Sequence, residues 1–129
     1  MKILLMSIMV DDQDKAERFY TDVLGFKKHT EFPMGEYRWL TVVAPDGHPD
    51  VQLSLEPNAN PAGKAFQQAM MDQGIPVAAF ESLDIEADVA RLKEHGVVFT
   101  KEPFAAGPVT ITIFADGCGN LIQLYQPTG

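Results

Sequence analysis

The stretch that decides the fold is DQDKAERFYTDVLGF, residues 12–26. Asp11 or Asp12 can cap the first turn of a helix there, and Gly25 suits the residue with positive φ that ends many helices. The apolar residues recur at intervals of three and four, which is the spacing of one buried helical stripe: Ala16, Phe19, Tyr20, Val23 and Leu24. The sequence therefore predicts a helix from Asp12 to Gly25.

Strand-like runs flank this helix on both sides. Residues Lys2 to Val10 form a nearly continuous apolar run without helical periodicity, which predicts a central strand buried on both faces. Three further runs follow the helix and are separated by turn-forming residues: Phe26–Phe32, Tyr37–Ala44 and Val51–Glu56. The first half of the chain therefore has the predicted order βαβββ.

The second half repeats this order after a connector, residues 57–76, which carries a helix-compatible segment at Lys64–Asp72. Gln52 and Gln123 follow the helix-ending glycines of the two halves, Gly25 and Gly96, at the same distance along the chain. The predicted elements are a strand at Val77–Glu81, a helix at Ile85–His95, and strands at Val97–Thr100, Pro108–Phe114 and Leu121–Tyr125.

We therefore predict one α+β domain, residues 1–129, built from two tandem βαβββ modules at residues 1–56 and 77–129. A chain of 129 residues with 46% hydrophobic residues suits one domain with a sizeable core. The apolar N-terminal run is too short to span a bilayer, and Cys118 is the only cysteine, so no disulfide can form within the chain. These features favour a cytoplasmic location.

The charge balance restricts the partners that we expect. The formal net charge is −8 and the pI is near 4.7, so the chain would repel phosphate backbones and anionic lipid head groups. This argues against nucleic acid and against a membrane surface as partners. A small-molecule ligand that is neutral or cationic fits the charge better.

Two motifs resemble those of a known superfamily. The run from Val10 through Asp12 to Phe26 is similar to the opening of vicinal oxygen chelate proteins, which include glyoxalase I, bleomycin-resistance proteins, fosfomycin-resistance enzymes and extradiol dioxygenases. Asp116 to Leu124 resembles their final loop and strand. The resemblance implies a curved mixed sheet in which paired modules enclose a cleft, and it implies a homodimer. The paired modules can belong to one chain or to two, and the sequence leaves both arrangements open.

Members of this superfamily that use a metal carry His, Gln or Glu at the start of the first strand and on the last strand of each module. The resemblance puts the first-strand positions on Leu5 and on Val77, or on Ala78 if the alignment slips by one residue, and the last-strand positions on Gln52 and Gln123. Two neutral amides facing alkyl groups do not make a divalent metal site. We therefore expect no metal and no cofactor, with the three histidines facing solvent: His29, His48 and His95.

The predicted ligand-binding cleft contains residues from both modules. Gln52 and Gln123 either hold a polar group of a ligand or bond to each other or to internal water, and the sequence leaves both readings open. Arg38 and Trp39 alternate along one strand, so only one of them can face the cleft. The full predicted cleft set is Leu5, Ser7, Trp39, Gln52, Val77 and Gln123.

Two further residues are candidates for catalysis if the protein is an enzyme. Glu56 shares the face of Gln52 by the strand period of two and could act as a general base. Tyr125 shares the face of Gln123 and could donate a hydrogen bond.

Three functions are compatible with these residues. The first is a binding protein that holds a small organic molecule without metal, and the missing metal ligands and the acidic charge favour it. The second is a metal-dependent lyase, isomerase or dioxygenase with oxygen ligands from Gln52, Glu56 and Gln123. The third is a dimerising interaction domain with no small ligand.

Overall fold

The computed structural model describes residues 1–128 and confirms an α+β fold made of two βαβββ modules. The chain divides between Phe66 and Gln67 into two compact units. Each unit contains one four-stranded mixed sheet. Among the described residues, no helix is long and apolar enough to cross a membrane.

In the first unit the strands run in the spatial order β1-β4-β3-β2, with β1 parallel to β4 and the other pairs antiparallel. A parallel pair needs a crossover connection, and the helix after β1 supplies part of it. The elements are β1 Leu5–Val10, α1 Gln13–Arg18, β2 Lys27–Met34, β3 Tyr37–Val43 and β4 Gln52–Pro57.

The predicted helix has two parts of different geometry. Asp12, rather than Asp11, is the N-cap of α1, and its side chain accepts from the backbone N–H of Lys15 at 3.1 Å. That hydrogen bond holds the pKa of Asp12 below its ordinary value. After α1 the chain continues as a π-helical turn at Phe19–Val23, and Gly25 follows with φ of 85°. The extent of the helix was predicted correctly, but its change of pitch was not.

One face of the first sheet packs against α1. Arg38 on β3 points to this side, because its guanidinium bonds to Asp14 and Glu17 of α1. Strand alternation puts the buried core on the same side, together with Ala16 and Tyr20 of the helical segment: Ile8, Val10, Leu40, Val42 and Leu55.

The expectation that Lys2–Val10 is buried on both faces is wrong for its first half. The strand begins at Leu5, and Ile3, Leu5 and Met6 are 79%, 46% and 49% exposed. β1 lies at the edge of its sheet, and only its second half, from Ile8, reaches the α1 core. An edge position explains why an apolar run is not covered on both sides.

The second unit has the matching strand order β5-β8-β7-β6, with β5 parallel to β8. Asp84 caps α3 by accepting from the backbone N–H of Ala87 at 3.1 Å. The elements after the connector are β5 Ala78–Glu81, α3 Ile85–Glu94, β6 Phe99–Ala106, β7 Val109–Ala115 and β8 Leu121–Pro127. The side of the sheet that packs with α3 carries buried Phe114, Ile122 and Leu124.

Two elements are longer than predicted. The connector contains α2 at Pro61–Gln73, where the sequence indicated only Lys64–Asp72. β6 extends to Ala106, whereas the predicted strand ends at Thr100. β6 is an edge strand with register shifts between Phe99 and Phe104, and an edge strand accommodates Pro103 because one side of its backbone needs no partner.

Candidate functional site

The face of the first sheet that points away from α1 brings together most of the predicted site. Leu5 pairs with Gln52 and Ser7 with Ser54 across β1 and β4, while Thr41 pairs with Ser54 across β3 and β4. Strand alternation then puts a set of central residues on this face, which we call the first distal face: Leu5, Ser7, Met9, Thr30, Phe32, Trp39, Thr41, Gln52, Ser54 and Glu56.

The hydrogen bonds of Arg38 show which of Arg38 and Trp39 lies on the first distal face. The Arg38 guanidinium donates to Asp14 and Glu17 at 2.8 Å each, and it also contacts Glu31. Glu17 and Glu31 raise the pKa of Arg38, with the Glu17 hydrogen bond as the main cause, and Arg38 lowers the pKa of Glu17 in turn. Because Arg38 is bound on the α1 side, Trp39 lies on the first distal face.

Three hydroxyl groups form a row across the centre of this face. Ser7 Oγ donates to Glu56 Oε1 at 3.0 Å, and Thr41 Oγ1 donates to Gln52 Oε1 at 2.8 Å. Ser54 lies between Ser7 and Thr41 in the register and is 1% exposed. Its Oγ has no hydrogen-bond partner among residues 1–128. The centre of the face therefore holds one buried hydroxyl whose bonding is unsatisfied.

An aromatic pair lies on the same face. The rings of Phe32 on β2 and Trp39 on β3 stack with centroids 6.3 Å apart and planes 26° from parallel. Phe32 is 48% exposed and Trp39 is half-buried. Exposed aromatic planes beside a few polar groups are the usual composition of a site for a small organic molecule.

The second sheet has a corresponding face on the side away from α3. Gln123 and Tyr125 both lie there and are half-buried, with Glu81 opposite Tyr125 across β5 and β8. The residue that pairs with Gln123 is Ala79, so the counterpart of Leu5 is neither Val77 nor Ala78. Val77 precedes β5 and donates its backbone N–H to Leu121 at 3.0 Å. The sequence alignment therefore placed this first-strand position at Val77, two residues before Ala79.

A buried turn leads into β8 and fixes the start of the strand that carries Gln123. Asp116 Oδ1 accepts from the backbone N–H groups of Cys118 and Asn120 at 2.7 and 3.1 Å. Gln67 Nε2 donates to Cys118 O at 2.9 Å and to Asn120 Oδ1 at 3.1 Å. The closing motif of the sequence therefore has a structural role in this unit, and Cys118 is fully buried within it.

The residues of these faces do not fit a divalent metal ion. The pairs at the expected ligand positions are Leu5 with Gln52 and Ala79 with Gln123, and neither pair contains an imidazole, thiolate or carboxylate ligand. The Gln52 oxygen already accepts from Thr41. Within residues 1–128, no three His, Cys, Asp or Glu side chains are grouped closely enough to hold an ion. The three histidines are exposed, as predicted: His29, His48 and His95.

The sequence reasoning missed Thr41 and Ser54. Each lies two residues from a predicted site residue, Thr41 from Trp39 and Ser54 from Gln52. Strand alternation alone would have put both on the predicted face. What the sequence did not contain was the register that aligns Ser7, Ser54 and Thr41 in one row.

Comparison with known proteins agrees with this architecture. The family model for the Glyoxalase/Bleomycin resistance protein/Dioxygenase superfamily matches residues 2–124. The uncharacterized protein YurT of Bacillus subtilis (strain 168) is 50% identical over 126 residues, covering 98% of this chain and 99% of YurT. The crystal structure of UcmS2 superposes with a TM-score of 0.83 at 32% identity, covering 97% of both chains. TnmS3, an antibiotic binding protein from Streptomyces sp. CB03234, superposes with a TM-score of 0.77 at 32% identity, covering 98% of this chain and 96% of TnmS3.

Proposed function

The chain belongs to the Glyoxalase/Bleomycin resistance protein/Dioxygenase superfamily, and from this membership we propose that it binds a small organic molecule, neutral or cationic, without a metal ion. The observation that carries the proposal is the composition of the first distal face. It combines apolar and aromatic groups such as Leu5 and Trp39 with a few polar groups such as Gln52 and Glu56. Sites for small molecules have this composition.

Two further points support the proposal. TnmS3, whose fold this chain shares over 98% of its length, is an antibiotic binding protein. The net charge of −8 and the Glu56 carboxylate disfavour anionic ligands and favour neutral or cationic ones. A cationic or neutral antibiotic is therefore a reasonable ligand class for the first binding tests.

A second candidate function is metal-independent proton transfer. The hydrogen bond from Ser7 orients the Glu56 carboxylate on the first distal face, which is a requirement for a general base. Replacing Glu56 by Gln keeps the shape but removes the base, so turnover of a substrate should fall by about 10²-fold or more if this function is correct.

The first test of metal-free binding combines elemental analysis with thermal unfolding. We expect the purified protein to contain no stoichiometric metal, and we expect its unfolding temperature after chelation to be unchanged by Zn²⁺, Ni²⁺, Mn²⁺ or Fe²⁺. The same measurement with a panel of cationic and neutral antibiotics should find a stabilising compound, because a ligand at a hundred times its Kd stabilises the native state by about 2.7 kcal/mol. A stoichiometric, stabilising metal, or a panel without any stabilising compound, would contradict the proposal.

A further inference from the structure

The Ser54 hydroxyl is the starting point of a more specific inference, which rests on the proposed function. Nearly all buried polar side-chain atoms in proteins have a hydrogen-bond partner, and exceptions point to water, a ligand or a functional role. Ser54 is 1% exposed and its Oγ has no partner among residues 1–128. A partner from outside the chain would satisfy it.

The neighbours of Ser54 on the same face are already committed to other bonds. The Ser7 hydroxyl donates its hydrogen to Glu56, and the Thr41 hydroxyl donates its hydrogen to the Gln52 carbonyl oxygen. A hydroxyl has only one hydrogen, so each of these groups has used its donor. No acceptor among residues 1–128 lies within hydrogen-bonding distance of the Ser54 Oγ, so its own hydrogen has no partner in that part of the chain.

Gln52 supplies a second donor close by. Its Oε1 is held by Thr41 at 2.8 Å, which orients the amide and leaves the NH₂ group without a hydrogen-bond partner in the described part of the chain. Gln52 and Ser54 are two residues apart on β4 and therefore lie on the same face. Two donors on neighbouring positions of one strand face favour a ligand group that can accept from both.

The surroundings decide which acceptor oxygen fits. Glu56 lies one further step along the same face of β4, and the whole chain carries a charge of −8, so a carboxylate or phosphate would be repelled. A neutral carbonyl oxygen accepts from two donors at once without that repulsion. Trp39, on the adjacent strand of the same face, offers a plane for a flat group attached to the carbonyl.

We propose that Ser54 and Gln52 together bind a neutral carbonyl oxygen, of the ketone or amide type, on a ligand whose flat body packs against Trp39. Ser54 is then the residue that makes the first distal face select a neutral carbonyl compound over an anion. The alternative explanation of its buried hydroxyl is an internal water molecule, which would satisfy the same donor without any ligand.

Three probes with the same flat body separate these possibilities: 2-naphthamide, 2-naphthoate and 2-naphthylmethylammonium. Titrations followed in ¹H–¹⁵N spectra report on the Gln52 side-chain NH₂ and on the Trp39 indole N–H directly. We expect 2-naphthamide to bind most tightly and to shift both signals. Binding of 2-naphthoate with equal or higher affinity would overturn the proposal.

The matched variants are Ser54→Ala and Ser82→Ala, which each remove the hydroxyl of a buried serine. Loss of one hydrogen bond to the carbonyl should raise the Kd of 2-naphthamide three- to tenfold in Ser54→Ala, roughly what a single net hydrogen bond contributes. Ser82→Ala should leave that Kd within about twofold, because Ser82 lies in the second unit and its hydroxyl donates to Asp88 at 2.6 Å. An unchanged Kd in Ser54→Ala identifies internal water as the partner of Ser54 and overturns the proposal.

Failure of the variant to fold and failure of the probes to bind are also informative. If Ser54→Ala does not fold, the test uses the Gln52 side-chain NH₂ signal of the unaltered protein. A Gln52 signal that does not shift on addition of 2-naphthamide overturns the inference. If none of the three probes binds, this inference fails, while the antibiotic panel still decides the broader proposal of small-molecule binding.

Discussion

Gly119 shows how a single residue maintains the turn before β8. Its φ is +99°, and a Cβ added to it would lie 2.6 Å from the Nε2 atom of Gln67. That nitrogen holds two acceptors of the turn, Cys118 O and Asn120 Oδ1. A side chain at this position would therefore disturb both the backbone conformation and a buried polar network.

We expect Gly119→Ala to lower the free energy of unfolding by about 3 kcal/mol, since backbone strain and displacement of Gln67 each cost about 1–3 kcal/mol. Urea unfolding measures this. The matched control is Gly107→Ala, where φ is +64° but no atom lies within 4 Å of the added Cβ. The control should lose only the strain contribution, about 1 kcal/mol, and equal losses in the two variants would refute the role of Gln67.

Glu17 connects the stability of the first unit to pH. Hydrogen bonding to Arg38 lowers its pKa from the ordinary value of 4.5, and Lys28, with Nζ 3.3 Å from Glu17 Oε2, contributes to the same shift. A carboxyl whose pKa is lower in the folded state adds stability above its unfolded-state pKa. That stability is lost as the pH falls through the folded-state value, so the sensitive window begins near 4.5 and extends below it.

The expected result is that Glu17→Gln loses less stability than the unaltered protein when the pH is lowered from about 6 to about 3, because the variant has no carboxylate to protonate. Urea unfolding at several pH values gives the comparison. Glu36→Gln is the control, since Glu36 is exposed in the β2–β3 turn. A Glu17→Gln curve parallel to that of the control would show that the Arg38 pair does not contribute.

At the scale of the elements, Gln13 links α1 to two strands by hydrogen bonds. Its Nε2 donates to the carbonyl oxygens of Arg38 and Leu55 at 2.7 and 2.9 Å, and its Oε1 accepts from the Arg38 backbone N–H at 3.0 Å. Gln13 is 9% exposed. One amide of α1 thus forms hydrogen bonds with backbone groups of both β3 and β4.

Gln13→Leu should lower the free energy of unfolding by about 2–4 kcal/mol, because an apolar side chain leaves these buried backbone groups without partners. Amide hydrogen exchange at Arg38 should accelerate in parallel. Gln68→Leu on α2 is the matched control, because its amide bonds only to exposed Asp72. We expect the control to change stability by less than about 0.5 kcal/mol, and an equally mild effect of Gln13→Leu would contradict this account.

The sequence predicted the elements best where one physical signal dominated. The 3.6-residue periodicity, a cap at Asp11 or Asp12 and the helix-ending glycines Gly25 and Gly96 located α1 and α3. The sequence predicted the bounds of elements poorly where their position in the sheet decided the outcome. β6 continues through Pro103 only because an edge position tolerates proline, and the exposed N-terminal half of β1 reflects its place in the sheet order.

At the scale of the whole molecule, the internal repeat was the most informative feature of the sequence. It predicted two βαβββ modules, and strand alternation then put Gln52 and Glu56 on one face of the first sheet, while the choice between Arg38 and Trp39 needed the structure. Ser54 was not predicted as a site residue, because a serine in a strand has no distinctive sequence pattern. Its lack of a partner is a property of three-dimensional packing, which no local sequence signal encodes.

The buried thiol of Cys118 has a practical consequence. It is the only cysteine of the chain and is fully buried in the turn that Asp116 and Gln67 hold closed. A thiol-reactive dye can therefore modify the protein only during the moments when that turn opens. The labelling rate thus reports how often the turn opens in the native protein without any mutation, and any molecule that rigidifies the turn would slow it.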